Sequence, residues 1–296
     1  MRIKVAVLGA TGMLGGMVCK TGGSHKTFGF TRKDINIESA DDTYETLDNS
    51  YLLELKPDFI VNCIGAIKPQ FKGDITEAVY TNAIFPREIA SWVDMQNSWG
   101  ELPSTKLIHI TTDCVYDGLY GGYTESSPHN AIDDYGKSKS LGEPENCMVL
   151  RTSIIGPEWN GNKRSLVEWL ISNSGGKVSG FTNHIWNGIT TLELSKCIGQ
   201  IIDKDLYSPG THHIYSEDIN KFDLLRLMNS RWELGIQIEP AHATQYCNRT
   251  LRTEKNLNSI LSVATQTQMA IELKPYIQRE ENAQDYDSVR HQARLH

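Results

Sequence analysis

Short apolar runs recur along the first half of the chain and are separated by longer segments of mixed polarity. The runs are rich in β-branched residues and occupy residues 3–8, 27–30, 59–63, 107–110 and 148–150. Runs of this kind are typical of strands that are buried on both faces of a sheet. Because segments with helical spacing lie between them, the pattern predicts right-handed βαβ units and a doubly wound, parallel α/β sheet of the Rossmann type.

The pattern changes after Gly156, where glycine-rich and aromatic segments replace the regular alternation. We predict a Rossmann domain over residues 1–157, with later strands contributed from about 190–220, and a smaller C-terminal lobe over residues 158–296 that is interleaved with the sheet. Within the lobe, a helix is predicted over residues 165–172 and a loop over residues 180–188. The polar end of the chain, from about Gln278, is expected to fray.

Composition restricts the classes of partner. With 39% hydrophobic and 22% charged residues, the chain resembles folded globular proteins. A net charge of -7, without a cluster of Lys and Arg, argues against nucleic acid. No signal peptide and no run of roughly 20 apolar residues is seen, so we expect no membrane contact and a cytoplasmic protein. The six cysteines are widely spaced, which predicts reduced core thiols and no metal site.

A glycine-rich segment, GATGMLG at residues 9–15, directly follows the first predicted strand and opens a predicted helix. Glycines permit a tight turn and a close approach of backbone to phosphate, while the helix N-terminus supplies N–H groups and a partial positive charge. This arrangement predicts a pyrophosphate site for a dinucleotide. The expected contacts are Gly9, Thr11, Gly12, Met13, Leu14 and Gly15.

The end of the second predicted strand indicates which dinucleotide is preferred. Thr31-Arg32-Lys33-Asp34 stands where an NAD enzyme carries the acidic residue that binds the ribose 2′-hydroxyl. A guanidinium at Arg32 can instead bind a 2′-phosphate. The sequence therefore favours NADPH/NADP over NADH.

Three further residues have the chemistry of a dehydrogenase triad. Tyr135 and Lys139 have the i, i+4 spacing that places both side chains on one face of a helix. An ammonium near the phenol is expected to lower the pKa of Tyr135 and fit it for general acid catalysis. Thr111 and Thr112 follow the strand at residues 107–110, at the sheet edge where α/β folds bind ligands. The predicted catalytic residues are Thr112, Tyr135 and Lys139.

Each motif also has a purely structural interpretation, which the sequence leaves open. The glycines could be needed only to form a turn, and Arg32 with Lys33 could simply be solvated side chains at a strand end. Tyr135 and Lys139 could be surface neighbours, and the threonine pair could cap the turn that follows.

Taken in order, these motifs resemble the extended short-chain dehydrogenase/reductase superfamily and, within it, the dTDP-4-dehydrorhamnose reductase family. The resemblance runs from residue 1 to about residue 255. Its most specific stretch is ITTDCVYDG at residues 110–118, followed by YGKSK at residues 135–139 and LGE at residues 141–143. Further matches are Tyr123, Glu125, KPD at residues 56–58, Asn62, Asn82 and LRTS at residues 150–153.

The resemblance implies a reaction and a role for each matched residue. In this family a nicotinamide cofactor passes a hydride to C4 of a 4-keto-6-deoxy nucleotide sugar, and a tyrosine supplies the proton. Tyr135 would then be the acid, Lys139 would hold the nicotinamide ribose, and Thr112 would orient the carbonyl in a substrate bound by the lobe. Cofactor contacts beyond the glycine-rich turn are expected at Arg32, Asp34, Ile35, Ile64, Gly65, Ala66, Asn82, Thr111, Tyr135 and Lys139. Substrate contacts are expected at Thr112, Asp113, Val115, Tyr116, His184, Trp186 and Asn187.

Two segments depart from the family pattern and leave the substrate open. Residues 180–191 read GFTNHIWNGITT where the family has roughly D-x-x-G-x-P-T, and the usual proline before Tyr135 is replaced. The sugar or the base can therefore differ from that of a dTDP-rhamnose precursor. For this reason His184, Trp186 and Asn187 are assigned to substrate contacts, although aromatic residues in such a segment also serve packing.

Three rival functions share this fold, and the sequence argues against one of them, the dehydratase. A C4 epimerase of the same superfamily fits the same motifs, whereas a dehydratase commonly carries Asp-Glu after the threonine and Asp113 is here followed by Cys114. A non-catalytic regulatory subunit is the third, because a reductase-like relative serves as a partner of methionine adenosyltransferase. Retention of Thr112, Tyr135 and Lys139 favours the enzyme. The oligomeric state, a homodimer included, stays open.

Overall fold

The computed structural model describes residues 2–22, 25–35, 43–72, 75–159, 161 and 163–277. The strands in these residues are β1 (Lys4–Leu8), β2 (Lys26–Phe30), β3 (Phe59–Asn62), β4 (Lys106–Thr112), β5 (Met148–Thr152), β6 (Ile154–Ile155), β7 (Lys177–Phe181), β8 (His184–Trp186), β9 (Ile189–Thr190), β10 (Gly210–His213), β11 (Ile219–Asn220), β12 (Gln237–Ala241) and β13 (Cys247–Asn248). The α-helices in them are α1 (Met13–Thr21), α2 (Thr43–Asp48), α3 (Tyr51–Leu55), α4 (Ile75–Val79), α5 (Phe85–Trp99), α6 (Asp134–Leu141), α7 (Leu166–Ser172), α8 (Thr191–Asp203), α9 (Lys221–Trp232), α10 (Leu257–Leu261) and α11 (Gln266–Ile277).

The central sheet has the predicted doubly wound form. In the described part of the chain it contains six parallel strands in the order β10-β5-β4-β3-β1-β2. Alternate side chains of a strand enter opposite layers. Val5, Val7, Val61 and Ile108 pack against α1, α8 and α10 on one face, whereas Ala6, Leu8, Ile60 and Leu107 pack against α2, α3 and α5 on the other. This alternation explains why strands in the middle of the sheet, such as β1 and β3, read as nearly continuous apolar runs.

The strand order reverses direction beside β1, because β2 lies on one side of it and β3 on the other. Chain segments diverge at such a switch point and leave a crevice at the carboxyl ends of the strands, which is where open α/β sheets bind ligands. The turns that follow β1 and β3 therefore form the two walls of the expected cofactor site.

The five strands predicted from apolar runs are all present, but their ends differ. β4 continues through Thr111 and Thr112, which pair with Arg151 and Thr152 of β5, so the threonine pair ends the strand instead of following it. The predicted loop at residues 180–188 was wrong, because the segment contains the end of β7 and all of β8. Each of these strands is too short to show a period and is formed by pairing with a distant strand, β12 or β13.

The C-terminal lobe has its own apolar core. Val167 and Leu170 of α7, Met228 and Trp232 of α9, and Leu273 of α11 pack together. The helix predicted over residues 165–172 is α7, which Ser165 caps by accepting a hydrogen bond from the Glu168 N–H. β10 returns to the central sheet beside β5. The lobe boundary at residue 158 stays a prediction, and the predicted fraying from Gln278 lies outside the described residues.

All six cysteines lie in described segments and are free. Burial raises the pKa of Cys19, Cys114 and Cys147 to about 12, so these thiols are protonated and unreactive at neutral pH. Cys147 and Cys197 lie in the core as predicted, whereas Cys19, Cys63, Cys114 and Cys247 are only partly buried. In the same described segments, no helix has the length and apolar content that a membrane crossing requires.

Candidate active site

The glycine-rich turn brings three pieces of backbone close together. Gly9 has φ +78°, a left-handed conformation that favours glycine, and its N–H and that of Ala10 both donate to the Phe30 carbonyl at 3.0 Å. A Cβ at Gly15 would lie 2.2 Å from the Gly9 carbonyl oxygen, so the start of α1 can approach the turn only without a side chain. The first-turn N–H groups of α1 and its dipole then provide a site for a phosphate.

The turn after β3 forms the opposite wall. A Cβ at Gly9 would lie 3.2 Å from the Cys63 carbonyl carbon, which shows that the two turns touch. Asn82 fixes this wall, because its Oδ1 accepts from the Ala66 N–H at 2.8 Å and its Nδ2 donates to the Ala66 carbonyl at 3.0 Å. Ile64, Gly65 and Ala66 thus lie where the sequence predicts cofactor contacts, and Asn82 acts on them through Ala66.

Arg32, Asp34 and Ile35 lie at the end of β2 as expected. The Arg32 guanidinium is 67% exposed and forms an ion pair with Glu77 at 3.4 Å. The Asp34 carboxylate accepts from the backbone N–H of Thr31 at 2.8 Å and from its hydroxyl at 2.7 Å, so Asp34 stabilises the turn that presents Arg32. Ile35 is buried.

The structure brings Thr112, Tyr135 and Lys139 together at the carboxyl edge of the sheet. Thr112 ends β4, and α6 carries Tyr135 and Lys139. A Cβ at Gly136 would lie 2.2 Å from the Cys114 carbonyl oxygen, so glycine allows α6 to pack directly on the segment after β4. The Thr112 side chain lies close enough to the phenol of Tyr135 to act on its pKa, which it lowers.

The Thr112 hydroxyl has further partners. It donates to Asp113 Oδ1 at 3.1 Å and accepts from the Cys114 N–H at 3.1 Å. Asp113 is buried and burial raises its pKa, while the positive charge of Arg249 acts against that rise. The neighbouring Thr111, expected beside the cofactor, is buried and its hydroxyl has no hydrogen-bond partner among the described residues.

Lys139 and Tyr135 have shifted pKa values. Burial lowers the pKa of Lys139 to about 8, and its Nζ lies 2.7 Å from the position that a Cβ at Gly65 would occupy. Glycine at residue 65 therefore leaves room for the ammonium. Burial raises the pKa of Tyr135, whereas the sequence predicted a fall caused by Lys139. The difference arises because desolvation of the phenol outweighs the other influences, and it keeps Tyr135 protonated at neutral pH.

The remaining predicted substrate contacts fall into two groups. Trp186 donates from Nε1 to the Ser153 hydroxyl at 2.8 Å, and the half-buried His184 contacts the Phe181 ring with centroids 4.8 Å apart. Asn187 is buried and its amide makes two hydrogen bonds of 3.0 Å with the backbone of Leu251. Val115 and Tyr116 are also completely buried. Asn187, Val115 and Tyr116 are therefore packing residues in this structure. A direct contact with substrate would require them to move.

A buried polar cluster behind the active site was missed by the sequence analysis. Arg151 is 2% exposed and forms a two-point ion pair with Glu143, with its Nε 3.0 Å from Glu143 Oε1. The same guanidinium contacts Tyr116 Oη, His213 Nε2 at 2.8 Å and His129 Nε2 at 2.7 Å. The sequence motifs contained Arg151 and Glu143, but nothing in their spacing indicated that they pair.

The histidines of this cluster predict an acid-sensitive stability. Arg151 donates to His213 Nε2, so that nitrogen must be unprotonated, and burial lowers the pKa of His213 to about 4 from an ordinary 6.5. A depressed folded-state pKa contributes stability that is complete above pH 6.5 and is lost as the pH falls towards 4. We expect about 2 kcal/mol of unfolding free energy to be lost between pH 8 and pH 5 from this residue.

Urea unfolding at a series of pH values measures this loss. His213→Gln should remove that part of the pH dependence, because the substitute does not titrate. His242→Gln is the control, since His242 is exposed, and should retain the wild-type slope. Equal slopes in the two variants would show that His213 does not carry the effect.

The fold and the site define a Rossmann-type α/β protein of the extended short-chain dehydrogenase/reductase kind. The family model described as RmlD substrate binding domain matches residues 2–288, and the chain belongs to this family. This confirms the family inferred from the sequence motifs.

The chain is similar to solved enzymes of this fold. One is a dTDP-4-dehydrorhamnose reductase from Bacillus anthracis in complex with NADP, with 20% identity, a TM-score of 0.76, and coverage of 93% of this chain and 100% of that one. Another is a dTDP-4-dehydrorhamnose reductase from Clostridium acetobutylicum, with 19% identity, a TM-score of 0.73, and coverage of 94% and 100%.

Two curated relatives are beta subunits of methionine adenosyltransferase 2. The beta subunit of methionine adenosyltransferase 2 from Danio rerio is 29% identical over 162 residues, which are 51% of this chain and about half, 48%, of that protein. The subunit from Xenopus tropicalis is 24% identical over 266 residues, covering 81% of this chain and 77% of that protein.

Proposed function

We propose that this protein is an NADPH-dependent reductase of a nucleotide-activated 4-keto-6-deoxy sugar. The observation that carries the proposal is the arrangement at the carboxyl edge of β4, where the side chain of Thr112 lies close to the phenol of Tyr135 and Lys139 lies beside Gly65. A hydroxyl, a protonated phenol and an ammonium are the groups that carbonyl reduction requires at one place.

The described residues fit a nicotinamide dinucleotide. Glycine at residues 9, 15 and 65 lets the two turns, the start of α1 and Lys139 approach one another without intervening side chains, so a dinucleotide at this edge of the sheet would meet backbone. The N-terminus of α1 would hold the pyrophosphate, Arg32 the 2′-phosphate, and Lys139 the nicotinamide ribose. When bound, the cofactor supplies the hydride that reduces the carbonyl carbon.

Tyr135 supplies the proton in this proposal. Its raised pKa keeps the phenol protonated, and the O–H donates to the carbonyl oxygen as that oxygen gains negative charge. The Thr112 side chain, held by Asp113 and the Cys114 N–H, would orient the carbonyl beside the phenol. The products are the sugar alcohol and the oxidised cofactor, and Tyr135 then regains its proton from solvent.

The exposed Arg32 predicts a preference for NADPH. Arg32→Asp should weaken NADPH binding by roughly 10- to 100-fold, because a charge-assisted hydrogen bond to the 2′-phosphate is lost, and should invert the preference. Glu77→Gln is the matched control, since it removes the carboxylate that pairs with Arg32 and should leave NADPH binding equal or tighter. Fluorescence titration with both cofactors measures the constants, and equal values for NADPH and NADH in the wild type contradict the assignment.

A substrate panel tests the reaction itself. NADPH oxidation is followed at 340 nm with dTDP-, UDP- and GDP-linked 4-keto-6-deoxy sugars, and the expected result is turnover with at least one of them. A C4 epimerase would instead convert a nucleotide sugar without net oxidation of NADPH. Binding of NADPH without reduction of any member of the panel would remove the reductase proposal.

A regulatory subunit is the second candidate function, and the similarity to the methionine adenosyltransferase beta subunits is the observation that favours it. Such a role requires the fold but not the proton donor. A pull-down with a methionine adenosyltransferase catalytic subunit, together with the substrate panel, separates the two functions.

A further inference from the structure

A lysine and an aspartate bridge two chain segments beside the candidate acid. Lys68 Nζ donates to Asp133 Oδ2 at 2.6 Å. Lys68 begins the 3₁₀-helix Lys68–Lys72, which follows the cofactor wall at residues 64–66, and Asp133 caps the start of α6. The ion pair therefore connects the turn after β3 with the helix that carries Tyr135.

The two carboxylate oxygens of Asp133 have separate partners. Oδ1 accepts from the Gly136 N–H at 2.7 Å and so caps α6, which leaves Oδ2 for Lys68. Burial acts to raise the pKa of Asp133, but the hydrogen bonds from Lys68 and the Gly136 N–H hold that pKa below its ordinary value, so the carboxylate is ionised at neutral pH. A cap alone does not require this charge, because asparagine caps a helix as well as aspartate does. Asp133 also lies in the segment before Tyr135 in which the family's usual proline is replaced.

Two side chains of the helix Lys68–Lys72 contact the Tyr135 ring. Lys68 Nζ lies 5.7 Å from the ring centroid, and the Phe71 ring meets it edge to face with centroids 6.1 Å apart. The bridge to Asp133 keeps both contacts in place, because it fixes this helix relative to the start of α6. The ring that they contact carries the hydroxyl that must meet a substrate carbonyl.

The same ion pair adds little to the stability of the fold. Its side chains are 54% and 43% exposed, so solvent screens the attraction between them. A similar pair lies at the opposite edge of the sheet, where Lys106 at the start of β4 lies 2.7 Å from Asp205 and 5.4 Å from the centroid of the Phe59 ring. The two pairs have the same chemistry but differ in their distance from Tyr135, so the second is a control for the first.

We propose that Lys68 is a positioning residue for the reduction, which acts through Asp133 to hold the helix Lys68–Lys72 against Tyr135 and to keep the phenol aligned with the substrate carbonyl. The inference rests on the proposed function and assigns Lys68 no contact with substrate or cofactor. By joining the wall after β3 to α6, the bridge keeps the cofactor site and the proton donor in one arrangement.

Steady-state kinetics separate positioning from binding. Lys68→Met should lower kcat by roughly 10-fold and change KM and the NADPH dissociation constant by less than about 3-fold, because alignment is lost and binding contacts are kept. Lys68→Arg should restore the rate, since a guanidinium can maintain the ion pair. Lys106→Met is the matched control and should turn over as the wild type does. Urea unfolding should show the two methionine variants to be equally stable.

A double variant tests whether Lys68 acts through Asp133. Asp133→Asn keeps the cap of α6 and loses the ion pair. Lys68→Met/Asp133→Asn should be no slower than Lys68→Met, because the bridge is already absent in the single variant. If the losses of the two single variants multiply in the double variant, the residues act independently and the proposal is overturned.

NMR of isotopically labelled tyrosine Cζ reports on the phenol without any catalysis. The Tyr135 resonance, assigned by its absence in Tyr135→Phe, should move in the same direction in Lys68→Met and Asp133→Asn and keep its position in Lys106→Met. Movement in opposite directions would indicate the direct effect of opposite charges and would overturn the proposal.

The outcomes separate this role from the proposed function. An unchanged Tyr135 resonance in Lys68→Met, a wild-type kcat in that variant, or an equal loss of kcat in Lys106→Met overturns the role of Lys68 and leaves the reductase in place. A resonance that moves as expected, in a protein that reduces no sugar of the panel, keeps the hold of the bridge on Tyr135 and rejects the reductase.

Discussion

Tyr135→Phe should lower kcat by roughly 10²–10⁴-fold while leaving the fold and the NADPH affinity close to those of the wild type, because the change removes only the proton donor. The phenol lies close to Thr112 and its ring contacts Phe71 edge to face, with centroids 6.1 Å apart. Phenylalanine retains the ring contact and loses the hydroxyl. Single-turnover NADPH oxidation with a 4-keto nucleotide sugar measures the effect.

A second tyrosine provides the control for this experiment. Tyr207 contacts Phe59, the first residue of β3 and therefore at the edge of the sheet opposite the active site, with ring centroids 6.2 Å apart. Tyr207→Phe should turn over as the wild type does. Lys139→Met should weaken cofactor binding as well as kcat, since that ammonium is assigned both to the ribose and to the phenol. A wild-type rate in Tyr135→Phe would leave the binding-subunit function as the better account.

Local patterns in the sequence were sufficient to predict five strands of the central sheet and the candidate residues at its carboxyl edge. A strand buried on both faces is mostly apolar, as Val5–Leu8 of β1 and Phe59–Val61 of β3 are, and a glycine-rich turn directly after the first strand indicates the cofactor site. Tyr135 and Lys139 could be assigned because a helix fixes which residues share a face. These inferences needed no knowledge of distant contacts.

Features made by distant pairing could not be obtained in this way. β8 has three residues and exists because it lies between β11 and β13, so the sequence suggested a loop there. The assignment of Asn187 to substrate likewise missed its hydrogen bonds to Leu251, 64 residues later in the chain. The pKa of Tyr135 depends on burial, which spacing alone does not report.

Removing one member of the buried ion pair should have the largest effect on stability. Arg151 is 2% exposed, and its Glu143 partner is almost as buried, so Glu143→Ala leaves a guanidinium surrounded by Tyr116 and two histidines that cannot supply a negative charge. Breaking a buried pair typically costs about 3–5 kcal/mol, because the remaining charge is desolvated and unpaired. Urea unfolding at pH 7.5 should show a loss of this size.

An exposed ion pair is the control that separates the effect of burying a charge from the effect of losing a salt bridge. Lys177 and Glu239 lie 2.6 Å apart with side chains 58% and 45% exposed, and Glu239→Ala should cost only about 0–1 kcal/mol since water solvates the remaining ammonium. If desolvation of Arg151 is the cause, the double variant Glu143→Met/Arg151→Met should be more stable than Glu143→Ala, because it removes the buried charge as well. A loss of unfolding free energy below about 1 kcal/mol in Glu143→Ala would contradict this explanation. A double variant less stable than Glu143→Ala would also contradict it. In either case the buried charge would not be what makes the cluster necessary for β5 and the active-site edge of the sheet.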